Sequence, residues 1–180
     1  MAAAEPPLRA DARRNRDRLL QAARDAFAEF GFAVPLDEIA ARAGVGPGTV
    51  YRHFATKEAL FQAVVSTRVA DLVAEARRGA TNADPGGAFF GFLDRLGAEG
   101  AAKADTSDAI TVPGPLRDEM REALAVLLAR AQSAGAVRPD VTVTDLVALF
   151  KGLFAAGDNS DPDQAGRLFA ILIDGLRSRP

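Results

Sequence analysis

Apolar residues recur at every third or fourth position along almost the whole chain, which is the spacing of helices with one buried stripe rather than the alternation of strands. Between Arg13 and Phe30 they fall at Leu19, Leu20, Ala23, Ala26, Phe27 and Phe30, and Gly31 follows where a helix end favours glycine. A short helix is predicted over about 36–43, with Leu36, Ile39, Ala40 and Ala43 on one side and Pro35 at its first turn. Gly44-Val-Gly-Pro-Gly48 breaks the chain before a second short helix at about 47–54, whose Val50 and Phe54 lie four residues apart and point back at the first. Thr56 reads as the cap of a long helix from Lys57 to about Arg78, with Glu58 well placed in its first turn.

The stretch Gly79 to Gly87, containing Thr-Asn-Ala-Asp-Pro-Gly-Gly, reads as a linker. Helical patterns resume from about Ala88, then at about 115–134, 143–156 and 162–178, whereas 97–114 shows no clear pattern. No strand and no repeat stands out, so an all-α chain of about nine helices is expected.

Composition narrows the chemistry. Hydrophobic residues are 48% and charged residues 26% of the 180, the balance of a folded chain. The absence of cysteine excludes disulfides, thiolate nucleophiles and Cys-based zinc sites, and it suits a reducing cytosol. His53 is the single histidine, so a multi-histidine metal site is excluded, and no catalytic triad can be assembled around it from sequence neighbours. The glycines at 44–48 lack the spacing of a phosphate-binding loop and follow no strand. No apolar run reaches the roughly 18 residues of a membrane helix, and the first residues lack a secretory signal's apolar core. A soluble, cytoplasmic protein with no membrane partner, no metal and no cofactor is expected. Net charge is −2, but it is uneven: residues 1–60 carry nine Lys or Arg against eight acids, and residues 61–180 thirteen against sixteen. Arg9, Arg13, Arg14, Arg16 and Arg18 concentrate the positive charge at the start.

Two short helices joined by a tight turn, with the second exposed, are what a helix-turn-helix needs to enter the major groove of DNA. Gly44 supplies the turn, Ala40 the close crossing, and Ile39, Val45 and Val50 the inward aliphatics. Thr49, Tyr51, Arg52 and His53 are then left on the outer face, able to donate to phosphates or bases. The run from Ile39 through Ala40, Ala43-Gly44-Val45, Gly48-Thr49, Tyr51, His53-Phe54 and Lys57-Glu58 to Leu60 resembles the TetR family of bacterial regulators, without a gap. Arg16 to Phe32 is similar to that family's first helix, and Ala134-Gly-Ala-Val-Arg-Pro-Asp-Val141 to a connection before its dimerisation helices.

The resemblance implies that Thr49, Tyr51 and His53 hold phosphates. Lys57 would reach another from the start of the fourth helix, where a backbone N–H adds a helix-terminus anion site. Gly46, Pro47, Gly48 and Arg52 would lie nearest the bases. Two departures matter. Val34-Pro35 stands where many members have a Thr or Ser cap, and Gly46-Pro47-Gly48 offers almost no side-chain code. Arg52 and Tyr51 are therefore expected to do most direct reading, with Arg9, Arg13 and Arg14 adding minor-groove contacts. The domains expected are a disordered basic lead over 1–12, the helix-turn-helix domain over 13–56, and a helical effector-binding and dimerisation domain over 57–180.

For that last domain the family implies a homodimer and a ligand pocket. The apolar faces at 143–156 and 162–178, with Gly152, Gly166 and Gly175 permitting close approach, would pair with a second copy. Two recognition helices would then meet a palindromic operator. A small hydrophobic effector would sit beside Phe92, Leu96, Met120, Leu124, Phe150 or Phe154, although phenylalanines at such spacing more often form core. A repressor released by its effector is the leading reading. A DNA-binding regulator without a small-molecule effector and an activator stay open, and a helical enzyme is disfavoured by the shortage of His and Cys.

Overall fold

The computed structural model describes residues 7–101, 112–157 and 162–178. Among them lie eight α-helices: α1 (Pro7–Phe30), α2 (Leu36–Ala43), α3 (Pro47–His53), α4 (Lys57–Gly79), α5 (Pro85–Ala101), α6 (Gly114–Ser133), α7 (Val143–Gly157) and α8 (Pro162–Leu176). A single 3-10 turn, Gly31–Ala33, follows α1. The all-α expectation holds, with eight helices described where about nine were expected. Residues 102–111, the middle of the stretch without a clear pattern, lie outside the described residues.

Helix α1 begins at Pro7, not at Arg13, so the described part of the expected disordered lead is helical. Proline is preorganised for a first helical turn, and the Arg- and Ala-rich residues after it are good helix formers. Helix α5 also starts early, at Pro85. Asp84 accepts a hydrogen bond from the Gly87 N–H at 2.9 Å, which caps the helix and shortens the linker.

The described residues form two compact units, one up to Thr67 and one from Arg68, so the division falls inside α4. In the first unit Leu19, Ala23, Ala26, Ile39, Val50 and Leu60 are buried to within 1% exposure, the stripe the sequence periodicity marks out. Beside them Phe27, Phe32 and Phe61 meet ring to ring, Phe61 standing edge-on to Phe27 at 4.9 Å and to Phe32 at 5.3 Å between centroids.

The second unit centres on Phe89, Leu93, Leu127 and Leu146, all fully buried. Its α5 and α8 approach closely where Gly97 faces the Phe169 ring; a Cβ on Gly97 would lie 2.8 Å from both Cδ2 and Cζ of that ring. Gly135, at φ +70°, ends α6 by letting the Ala136 N–H reach back to the Ala131 carbonyl at 3.0 Å and its own N–H to the Gln132 carbonyl at 2.9 Å. The connector that follows is clasped to the end of α8. The Arg138 N–H donates to the Leu176 carbonyl and the Ser178 N–H to the Ala136 carbonyl, both at 3.1 Å, around an isolated Val137–Arg177 bridge. Helix α7 is opened by a reciprocal cap. The Asp145 N–H donates to the Thr142 hydroxyl at 3.2 Å, and the Thr142 N–H donates to the Asp145 carboxylate at 2.8 Å.

Candidate nucleic-acid interface

The turn between α2 and α3 is built on one left-handed residue. Gly44 has φ 65° and ψ 33°, which an L side chain adopts at a cost. Its N–H reaches the Ala41 carbonyl at 3.1 Å and that of Val45 the Ala40 carbonyl at 3.0 Å, so α2 closes in a Schellman turn and the chain leaves at a steep angle. Gly46 is extended, Pro47 takes the first position of α3, and the Thr49 N–H closes the first turn on the Gly46 carbonyl at 2.8 Å. Ile39, Ala40, Ala43 and Val50 are buried, so the two helices hold each other by their inner faces.

Helical geometry then decides what faces outward. At about 100° per residue, Arg52 stands roughly 160° around α3 from both Val50 and Phe54. Those two are buried, and Arg52 is exposed opposite them. It makes no ion pair or hydrogen bond among the described residues, so its guanidinium fork is uncommitted. Tyr51 is 55% exposed, Thr49 and His53 are half-buried at the flanks, and Gly46, Pro47 and Gly48 are exposed. A Cβ on Gly46 or Gly48 would meet nothing within 4 Å. Arg52 is thus outermost, with Tyr51 on one flank and Thr49 and His53 on the other, and the start of α3 is as bare as its sequence implies. Arg14 is exposed on α1; the side chain of Arg13 lies outside the described residues, and Arg9 with it.

Cations near this face divide by what holds them. Arg42, on α2, is spent inside the protein: it pairs with Glu29 at 2.7 Å and Glu38 at 3.0 Å and lies over the Phe30 ring at 4.8 Å. The hydrogen bond it donates to Glu29, then the one it donates to Glu38, hold its pKa above the usual arginine value. Arg16 lies over the Phe54 ring at 5.4 Å and Lys57 over the Phe32 ring at 4.6 Å. Sequence reasoning missed both contacts, because they join residues 38 and 25 positions apart with no periodic signal.

The start of α4 differs from what the resemblance implies. Thr56 caps it as expected, accepting from the Ala59 N–H at 3.1 Å. Glu58, however, folds its carboxylate onto its own backbone N–H and the Thr56 hydroxyl, contacts that hold it below the ordinary glutamate range. A carboxylate of the protein itself therefore lies at that helix end, beside the Lys57 ammonium. Pro35 stands at the N-cap of α2 with no side-chain hydrogen bond, as Val34-Pro35 leads one to expect; Asp37 and Glu38 offset the loss through the helix dipole.

The six residues expected around an effector divide differently. Phe92, Leu124 and Phe150 are buried, while Leu96, Met120 and Phe154 are half-buried. Phe150 packs on Phe154 at 5.7 Å and on Phe169 at 6.3 Å. Clefts open on this unit among the described residues. One of about 630 Å³ is lined by Val126, Ala129 and Arg130 among others, and one of about 390 Å³ by Asp94, Phe169 and Ile171 among others; neither includes any of the six. Among the described residues no cluster of three or more His, Cys, Asp or Glu could hold a metal ion, and no helix is long and apolar enough to cross a membrane.

Comparison with known proteins bears on both units. Residues 19–64 match the family of bacterial regulatory proteins, tetR family, and residues 84–178, more than half the chain, match the C-terminal domain of SbtR-like transcriptional regulators. The crystal structure of a TetR transcription regulatory protein from Mycobacterium vanbaalenii is 42% identical, covering 95% of this chain and 99% of that one with a TM-score of 0.74. A TetR transcriptional regulator from Streptomyces coelicolor is 35% identical over 92% of this chain and 99% of its own, again with a TM-score of 0.74. Among curated relatives, the HTH-type transcriptional regulator UidR of Escherichia coli is 41% identical over 59 residues, and the match spans 30% of UidR's length. The two family matches lie one on each side of Gly79, and the likeness to solved structures extends over both units: the chain belongs to the TetR family of DNA-binding bacterial transcriptional regulators.

Proposed function

We propose that the chain acts as a homodimeric, cytoplasmic repressor that binds a palindromic operator through α3 and leaves it on binding a small hydrophobic effector. The observation that carries the DNA-reading part is the outer face of α3, where Arg52, unpaired among the described residues, and an exposed Tyr51 follow a start whose one side chain is the Pro47 ring. In this reading Thr49, Tyr51, His53 and Lys57 grip phosphates, and Gly46, Pro47 and Gly48 let the backbone come close to the bases. Arg52 reads a base edge, with guanine its natural partner. Arg13 and Arg14 on α1 add to the attraction for the backbone.

Dimerisation through α7 and α8 is supported by apolar side chains left uncovered there. Leu149 is 45% and Ile171 68% exposed, and a Cβ at Gly152, Gly166 or Gly175 would meet nothing. A second copy would cover such a face and bring two recognition helices to successive grooves. The effector is assigned to the region of Phe92, Leu96, Met120, Leu124, Phe150 and Phe154. A second reading, a regulator with no small-molecule effector, is favoured by the burial of three of those six in the packed core.

The test is a mobility shift with DNA flanking the chain's own gene, repeated with a Tyr51→Ala, Lys57→Ala double variant. Specific binding that the double variant abolishes is expected, weakening by roughly 10³–10⁵ between about 50 and 200 mM salt if six to ten phosphates are contacted. No binding to any palindrome, or binding indifferent to both substitutions, would overturn the proposal. Thermal stabilisation by apolar aromatic compounds, with loss of the shifted band, separates the effector reading from its alternative.

A further inference from the structure

We infer that Phe32 is a positioning residue for DNA binding, an aromatic platform that holds the Lys57 ammonium where a phosphate will meet it. The inference rests on the reading of Lys57 as a phosphate contact. Phe32 reaches this place because Gly31, at φ 65°, turns the chain sharply after α1 and folds the next residue back against the unit. Its ring is then fixed on two sides, stacked on Phe27 at 6.0 Å and 16° between planes, and met edge-on by Phe61 at 5.3 Å. Lys57 and Phe61 are one helical turn apart on α4, so the residue that braces the ring and the cation that sits over it leave the same side of the helix.

The choice of partner matters. Among the described residues no carboxylate forms an ion pair with Lys57, in contrast to Arg42, which two glutamates neutralise. A carboxylate would spend the ammonium's charge and its N–H donors. An aromatic face attracts the charge through its quadrupole and leaves those donors for another acceptor. The long lysine stem loses rotamer freedom before DNA arrives, so less is lost on binding.

The test uses the full chain and a fluorescein-labelled duplex selected in vitro for binding to it, with affinities read by anisotropy over a salt series. Lys57→Ala should weaken binding and lower the salt slope by about one. Phe32→Leu should weaken it about 2- to 5-fold, Phe32→Tyr should not, and Phe32→Leu placed on Lys57→Ala should add nothing. Because Phe32→Leu also disturbs the ring cluster, trifluorophenylalanine at position 32 provides an isosteric check; it drains the ring's negative face and should weaken binding alone but not on Lys57→Ala. Equal losses in both backgrounds, or none with the fluorinated ring while Lys57→Ala still weakens binding, would show that Phe32 is only packing. A Lys57→Ala variant that binds normally would overturn the phosphate reading itself, and the positioning role with it.

Discussion

Two glycines on one helix should respond to the same substitution with opposite signs. Gly91 and Gly97 both lie within α5. A Cβ on Gly91 would meet nothing within 4 Å, whereas one on Gly97 would lie 2.8 Å from Cδ2 and Cζ of Phe169 on α8. Replacing a helical glycine by alanine removes backbone freedom from the unfolded chain and is worth about 0.5–1 kcal/mol where nothing opposes it. Gly91→Ala should therefore stabilise by that amount. At Gly97 the same gain is set against an overlap of the kind that costs roughly 1–3 kcal/mol in packed sites. The Phe169 ring also packs on Phe150, at 6.3 Å, which limits how far it can turn away. Gly97→Ala should thus be destabilising by about 0.5–2 kcal/mol. Urea unfolding followed by far-UV circular dichroism, with midpoints compared at a common slope, measures both variants. Gly97→Ala combined with Phe169→Leu, which removes the outer ring atoms, should recover part of the Gly97→Ala loss relative to Phe169→Leu alone. If both alanine variants stabilise alike, the close approach of α5 and α8 at Gly97 is wrong.

Gly44→Ala should cost roughly 1–2 kcal/mol through backbone strain alone, since its Cβ has open space, and Gly44→Asn should cost less; thermal unfolding ranks the three. Thr142→Ala removes the hydroxyl that caps α7 and should destabilise by about 1 kcal/mol in the same assay. It should also flatten the acid limb of stability. The Thr142 hydroxyl, then its N–H, hold Asp145 below its ordinary 3.8, so the stability this gives is complete above that value and is lost as pH falls through the depressed one. The variant has less to lose, and a stability–pH curve taken down from about pH 5 checks it. Arg138→Ala, which removes the guanidinium contact to the Gly175 carbonyl, should loosen the clasp between the α6–α7 connector and α8, read as faster amide exchange at position 138 and at Ser178.

Which parts were legible in the sequence follows from the range of the forces involved. Gly44 could be read because a left-handed turn demands a residue type, and Ile39, Val50 and Phe54 because helical period alone puts them inside. The start of α1 was misjudged: charged residues without an apolar stripe look like a tail, yet arginine and alanine make good helix, and Pro7 can begin one. Glu58 was seen as a favourable first-turn acid, but not that its carboxylate would fold onto the N–H expected to face a phosphate. The platform under Lys57 was invisible because Phe32 and Lys57 meet across a turn and two helices, where spacing carries no information. The same limit governs the residues proposed to meet an effector. Phe92 and Phe150 have the pattern of a core whether or not a cavity lies beside them.

The bare start of α3 separates what keeps the protein folded from what gives it an address. Gly48 is exposed, carries no positive φ, and has open space where a side chain would go. An asparagine, glutamine or arginine installed there would strain nothing, and helix propensity would favour it over glycine. In the proposed binding mode each would bring a new donor set to the groove, with adenine or guanine as its match. Evolution can thus rewrite the target of such a regulator one codon at a time while Ile39, Val50 and the Gly44 turn stay untouched. The same vacancy offers the protein engineer a place to retarget this scaffold without repacking it.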